Sequence, residues 1–356
     1  MNFKAERIYI AIAGGVIGLI SVALVLLGNP ANMGFCLACF IRDTAGGLGL
    51  HRAEPVQYIR PEIAGLILGA MGLSMLRGEF SPRGGSSPMT RFILGFFVMV
   101  GCLMFLGCPF RMVLRLAGGD LNALTGLLGF VAGILAGVFF LKRGYSLRRT
   151  YRQPQAEGLA LPVLQLVLLV LLAAAPAFVF FTPEGAGPGA KHAALLVSLG
   201  AGLLVGAIAQ YTRLCMVGGF RDMILFREPK LLIGFSMIFV TALIGNLALG
   251  KFHLGFLEQP VAHNDALWNF LGMTLAGFGC CLLGGCPLRQ MVMAGEGNTD
   301  SAVAYMGLLV GAAFCHNFGL AASGKGPTAN GKIAVLIGLL AVAVIAVSNT
   351  YRKQES

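Results

Sequence analysis

The sequence predicts an all-α polytopic membrane protein with about ten transmembrane helices in two inverted-topology repeats and four short re-entrant or broken helices. Composition is the first observation behind that fold class: 57% of the 356 residues are hydrophobic, 12% are charged and the mean hydropathy is +0.81, whereas a soluble domain carries about 25% charged residues. Length is the second. A bilayer-spanning helix needs about 20 mostly apolar residues, and ten runs come close to that: 8–28, 61–77, 90–107, 121–141, 162–181, 191–209, 230–250, 267–285, 301–322 and 332–348. Repetition is the third. The stretch Gly101-Cys102-Leu103-Met104-Phe105-Leu106-Gly107-Cys108-Pro109-Phe110-Arg111 returns as Gly279-Cys280-Cys281-Leu282-Leu283-Gly284-Gly285-Cys286-Pro287-Leu288-Arg289, and Cys102, Cys108 and Arg111 each recur 178 positions later. Cys36-x5-Arg42-Asp43 recurs at a spacing of 179 as Cys215-x5-Arg221-Asp222.

Corresponding spans of the two halves are separated by five crossings. Five is odd, so the second half sits upside down relative to the first, the arrangement in which transporters build a site from discontinuous helices at the repeat interface. Residues 1–152 then form the first repeat, with four spans and two short helices. Residues 153–190 are a linker and a connecting span, 191–323 the second repeat, and 324–356 a final span with a cytoplasmic tail.

Taken in order, the first span stops at Gly28-Asn29-Pro30, and residues 31–50 are apolar enough to be buried yet too short and polar to span. Such backbone survives at membrane depth only inside protein or beside a water-filled cavity. A second span follows, then the turn-rich loop 77–90 with Ser-Pro-Arg-Gly-Gly-Ser-Ser-Pro. The third span runs into Cys108-Pro109. Proline lacks an N–H and suits the first position of a helix, so Pro109 opens a short helix carrying Arg111 and Arg115, which Gly118-Gly119-Asp120 closes before the fourth span. The second half repeats this order around Cys215–Asp222 and Pro287, with Trp268 near an interface.

A formal net charge of +11 would suit a nucleic-acid partner in a soluble chain. In a polytopic one, basic residues gather in cytoplasmic loops. With both termini cytoplasmic, 17 of the 26 Lys and Arg fall on the inner side, five of them in 142–152. No nucleic-acid partner is expected. Nine cysteines without a secretory framework argue against a disulfide scaffold, the first apolar run reads as a retained span, and no P-loop points to direct ATP use.

The chemistry is expected at the breaks. Helix N-termini bind anions, and an arginine inside a membrane is a functional-site hypothesis by default. Thiols suit soft sulfur or selenium; a thiolate would repel an anion, so Cys–SH is the expected working form. The candidate translocation residues are Cys36, Cys39, Cys108, Cys215 and Cys286, the arginines Arg42, Arg111, Arg221 and Arg289, and Gly107 and Gly285, which let backbone approach the substrate. Cys108 and Cys286 are expected near mid-membrane, with Cys36 on the outer approach and Cys215 on the inner one. Asp43 and Asp222 read as structural partners of their arginines. Cys102, Cys280, Cys281 and Cys315 read as apolar filling, as do Met291 and Met293, and His316 as an interhelical hydrogen-bond residue. No catalytic residue, metal ligand or cofactor is expected. A Cu(I) or Hg(II) carrier fits the thiols but not the intramembrane arginines. The alternative is a membrane thiol oxidoreductase or sulfurtransferase-type protein, which Cys36-x-x-Cys39 supports and Gly218, at the matching position of the second half, opposes.

Cys-x5-Arg-Asp and Gly-Cys-Pro-x-Arg, each present twice in a glycine-rich polytopic chain, resemble the YeeE/YedE family of bacterial inner-membrane transporters over essentially the whole chain. The resemblance implies import of a sulfur anion such as thiosulfate, handed inward by membrane-embedded cysteines. The positions matching the family motif are Cys36, Cys108 and Cys286; Cys215 is the repeat equivalent of Cys36, and it and Cys39 lie outside that motif. The stretch from Cys36 to His51, with Val56-Gln57-Tyr58-Ile59-Arg60-Pro61-Glu62, is similar to the YedE branch, associated with selenium transport. The expected protein is therefore an inner-membrane importer of a small selenium- or sulfur-containing anion, with the lipid bilayer around it and a cytoplasmic sulfur or selenium carrier protein as a candidate partner.

Overall fold

The computed structural model describes residues 3–351; the basic end of the expected tail, at 352–356, lies outside the described residues. Fourteen α-helices run in this order: α1 Phe3–Leu26, α2 Leu37–Gly47, α3 Pro61–Leu76, α4 Pro88–Phe105, α5 Pro109–Ala117, α6 Asn122–Lys142, α7 Gln155–Ala174, α8 Leu195–Thr212, α9 Met216–Phe226, α10 Lys230–Ala248, α11 Ala266–Leu283, α12 Pro287–Gly295, α13 Thr299–Asn317 and α14 Ala329–Tyr351. The short helices match in length, 11 residues for α2 and α9 and nine for α5 and α12, and each begins directly after a cysteine.

Nine helical segments among the described residues are long and apolar enough to cross a membrane. The expected tenth span, α13, is long enough but less apolar, because Asp300, Ser301, His316 and Asn317 sit at its two ends. The connecting span is also displaced from its expected start at residue 162. Pro162 stands inside α7, since a proline eight residues into a helix removes one hydrogen bond without opening a new helix. The helix instead stops at Ala175, left-handed in φ, just before Pro176. The stretch expected as linker is therefore mostly helical. Two strands of two residues each, β1 (Arg83–Gly84) and β2 (Tyr151–Arg152), tie the loops on one face together.

The halves interlock through their helices. Gly14 of α1 lies directly against the backbone of Gly234 in α10, and Gly202 of α8 lies in the same way against Glu62 in α3. Gly129 of α6 sits on the Phe270 carbonyl of α11, and its counterpart 178 residues on, Gly307 of α13, sits on the Phe92 carbonyl of α4. Residue i touching j + 178, matched by i + 178 touching j, is the contact pattern of a twofold relation. Small residues let helix backbones approach this closely, the usual means of helix association in a bilayer. Their effect here is to bring α4 and α11, with the broken ends that follow them, side by side at the centre.

Candidate functional site

Each broken helix is headed by a thiol. Cys36 caps α2, its Sγ accepting from the Cys39 N–H at 3.4 Å, and Cys215 caps α9, its Sγ accepting from the Gly218 N–H at 3.3 Å. Cys108 and Cys286 hold the same post on α5 and α12, each followed by a proline at the first helical position, and neither thiol caps its own helix. Cys108 instead lies with its Sγ 3.9 Å from that of Cys36, and Cys286 is a near neighbour of Cys215. All four are at most 5% exposed. The thiols thus gather as Cys36 with Cys108 and Cys215 with Cys286, one pair per half. The reason is geometric: two half-helices of the same repeat point their N-termini at each other.

Arg111 stands beside the first pair and is fully buried. Its Nε donates to the Asn32 carbonyl at 3.1 Å, Nη1 to the Leu106 carbonyl and to the Cys39 thiol at 3.7 Å, and Nη2 to the Pro260 and Val261 carbonyls at 3.3 Å each. Among the described residues no carboxylate lies within ion-pair distance of it. Gly107, with no Cβ, leaves room for this side chain to fold back, as Gly285 does for Arg289; in the structure it is the arginine that each glycine accommodates. Leu106 and Gly284 both adopt left-handed φ at the break, +61° and +83°. Leu106 holds that strained conformation without glycine's freedom, and its carbonyl is thereby turned onto Arg111.

Arg42 and Asp43 pair at 2.7 Å, and Arg60 closes on the other Asp43 oxygen, also at 2.7 Å. Arg60 further donates to the Lys191 and Pro188 carbonyls and lies over the Phe40 and Tyr58 rings. The buried triad carries a net single positive charge and pins α2 against the start of α3. In the second half, Arg221 pairs with Asp222 alone at 2.8 Å, half-buried. Arg289 differs from Arg111: its Nη1 and Nη2 meet the two carboxylate oxygens of Glu296 at 3.1 and 3.4 Å.

Two cavities lie toward opposite ends of α3. One of about 310 Å³ is lined by Arg42, Leu106, Val261, Cys315 and His316. The other, about 390 Å³, opens on the face of the β1 and β2 loops and is lined by Arg77, Arg213, Asp222 and Lys230, among others. There Glu79 accepts from Gln210 at 2.7 Å and from Arg77 at 3.0 Å, which with Arg213 holds its carboxyl below the usual range.

The repeat motif leads to all four cysteines that head the short helices, but not to Arg60 or Glu296. Arg60 follows the motif at a distance with no counterpart in the second half, and the position 178 residues before Glu296 is Gly118. Nor does the sequence pair Arg115 with Asp120, whose side chains meet at 2.6 Å with Arg115 stacked on Phe105. The matching positions are Met293 and Asn298. A spacing of five residues across a helix end was the available signal.

The thiol geometry has a direct test. Sulfurs 3.9 Å apart need only a small shift to bond at about 2.05 Å, so mild copper-phenanthroline oxidation is expected to join Cys36 to Cys108. Mass spectrometry of the digested protein should find that bridge, and its absence, or a Cys108–Cys286 bridge instead, would contradict the pairing.

Fold and site together define a class, an α-helical polytopic membrane protein whose centre is two facing pairs of broken helices headed by thiols and flanked by arginines. Residues 211–355, which hold the Cys215 and Cys286 motifs, match the family described as sulphur transport. Over 116 residues the chain is 29% identical to the thiosulfate transporter TsuA of Escherichia coli (strain K12), a stretch that is 33% of this chain and 32% of that one. The match thus spans about a third of that relative's length. The resemblance to the YeeE/YedE family, carried by the two cysteine motifs, is borne out by both.

Proposed function

We propose that the chain carries a small sulfur- or selenium-containing anion across the bacterial inner membrane into the cytoplasm, past Cys36, Cys39 and Cys108 and then Cys215 and Cys286. The observation that carries this reading is Arg111, a buried full charge beside two helix N-termini and three thiols with carbonyls for partners and no carboxylate. An intramembrane cation of this kind is costly unless an anion visits it. Arg42 at the 310 Å³ cavity supplies the approach, and Arg221 and Arg289 the exit. Thiols add soft contacts that an exposed sulfur or selenium atom takes up and the sulfur of sulfate, enclosed by four oxygens, does not. Thiosulfate is one substrate candidate, supported by the name of the TsuA relative, and selenite or a related selenium species the other, supported by the Cys36–Glu62 stretch. Both termini are placed in the cytoplasm by the distribution of Lys and Arg, and a cytoplasmic sulfur or selenium carrier protein is the proposed acceptor.

Uptake into proteoliposomes of labelled thiosulfate, selenite and sulfate tests it. Thiosulfate or selenite should enter at least about tenfold faster than sulfate, the discrimination that one lost specific polar contact provides (about 1.4 kcal/mol). Equal uptake of sulfate removes any reason for thiols on the path. The closeness of the Cys36 and Cys108 thiols also favours a second reading, a thiol oxidoreductase. In that case their redox state would change with each turnover, which trapping with a maleimide reads directly.

A further inference from the structure

The two arginines that follow the Cys-Pro breaks stand in opposite electrostatic situations, and Glu296 makes the difference. Glu296 is only 4% exposed and faces Arg289 fork to fork, at 3.1 and 3.4 Å, the geometry of the strong bidentate pair. It sits at the C-cap of α12, where the negative end of a helix disfavours a carboxylate. The helix therefore does not hold it there; the arginines do. Arg213 reaches the same carboxylate at 3.7 Å and Glu79 at 3.2 Å, and Arg77 meets Glu79 at 3.0 Å. Alternating charges thus run from Arg289 to the 390 Å³ cavity that Arg77 and Arg213 line. In the first half, Gly118 stands where Glu296 would be and Arg111 meets only carbonyls and the Cys39 thiol.

We propose that Glu296 is a tethered anion that occupies Arg289 between substrates and displaces the transported anion from the Cys215–Cys286 pair toward the 390 Å³ cavity. This rests on the transport reading above and assigns Glu296 as a positioning residue acting through Arg289. Exchange of one anion for another keeps the Arg289 guanidinium paired throughout, so the inner arginine can accept and release a dianion without standing empty, while the displaced Glu296 carboxylate keeps Arg213, 3.7 Å away, as its partner. The asymmetry also separates tasks. Arg111, without a tethered competitor, captures; Arg289, with one, releases.

The test is thiosulfate binding to the purified full-length protein together with uptake kinetics in proteoliposomes, for wild type, Glu296→Gln and Glu296→Asp. Removing the competing charge-assisted pair should tighten thiosulfate binding at least about tenfold in Glu296→Gln, with KM and kcat falling together because release becomes limiting. Glu296→Asp keeps the charge one methylene further from Arg289, and its affinity should fall between the two. A merely structural role predicts the reverse for Gln, weaker binding with raised KM, and full recovery by Asp. Unchanged or weaker binding in a folded Glu296→Gln protein overturns the inference. If that variant does not accumulate, Glu296→Asp decides, with wild-type or weaker affinity counting against. Absence of binding and uptake of thiosulfate, selenite and sulfate by wild type is a different result, which removes the transport reading and this inference with it.

Discussion

Arg111→Gln is expected to lower anion uptake about 10- to 100-fold while the protein still inserts and elutes as a single folded species. The range follows from losing one charge-assisted hydrogen-bond set, about 1.5–3 kcal/mol. Glutamine retains one donor for the Leu106 carbonyl but cannot reach Asn32, Leu106, Pro260 and Val261 together, so Arg111→Lys is the needed companion. Lysine keeps the charge without the planar fork and should recover part of the rate. Arg289→Gln should cost less in affinity, because Glu296 already neutralises that guanidinium. Labelled uptake with thermal melting as the folding control reads all three. Normal rates in a folded Arg111→Gln protein would show that the charge braces the Leu106 break and does not meet substrate.

The second large effect is on stability. Asp43→Asn leaves Arg42 and Arg60, both buried, facing each other across a neutral amide where the carboxylate had bridged them at 2.7 Å on each side. Breaking a buried ion pair from one side costs about 3–5 kcal/mol. The variant is expected to accumulate poorly and to melt well below wild type. Adding Arg60→Gln removes one of the two repelling cations and should restore part of the lost melting temperature. An unaltered melting curve for Asp43→Asn would mean that water or lipid headgroups reach this triad.

The twofold repeat, the short helices and the thiols that head them were legible in the sequence because duplication wrote each of them twice. Cys36 with Cys215 and Cys108 with Cys286 fall on the period, and Pro109 and Pro287 mark where the helices restart. Features present in one half only escaped. Arg60 and Glu296 have no counterpart at the repeat distance, and both turned out to set the charge of their half. The pairing of thiols also lay beyond the sequence, since a period states which residues correspond and not which of them meet. Helix ends were misjudged where proline was ambiguous. Pro109 and Pro287 follow left-handed breaks at Leu106 and Gly284 and open helices, whereas Pro162 follows a run already helical and is absorbed by it.

The glycine contacts of Gly14 with Gly234 and of Gly202 with Glu62 have a consequence for biosynthesis. Helix α1 leaves the ribosome well before the helix it packs against, α10, which begins roughly 200 residues later, on the order of 10–40 s at about 5–20 residues per second. During that interval the first repeat must wait in the bilayer with its glycine-lined grooves unfilled and the Arg42–Asp43–Arg60 cluster short of Lys191 and Pro188, which Arg60 binds in the finished fold. Nascent chains stalled in that window are the form of this protein that membrane quality-control proteases would meet.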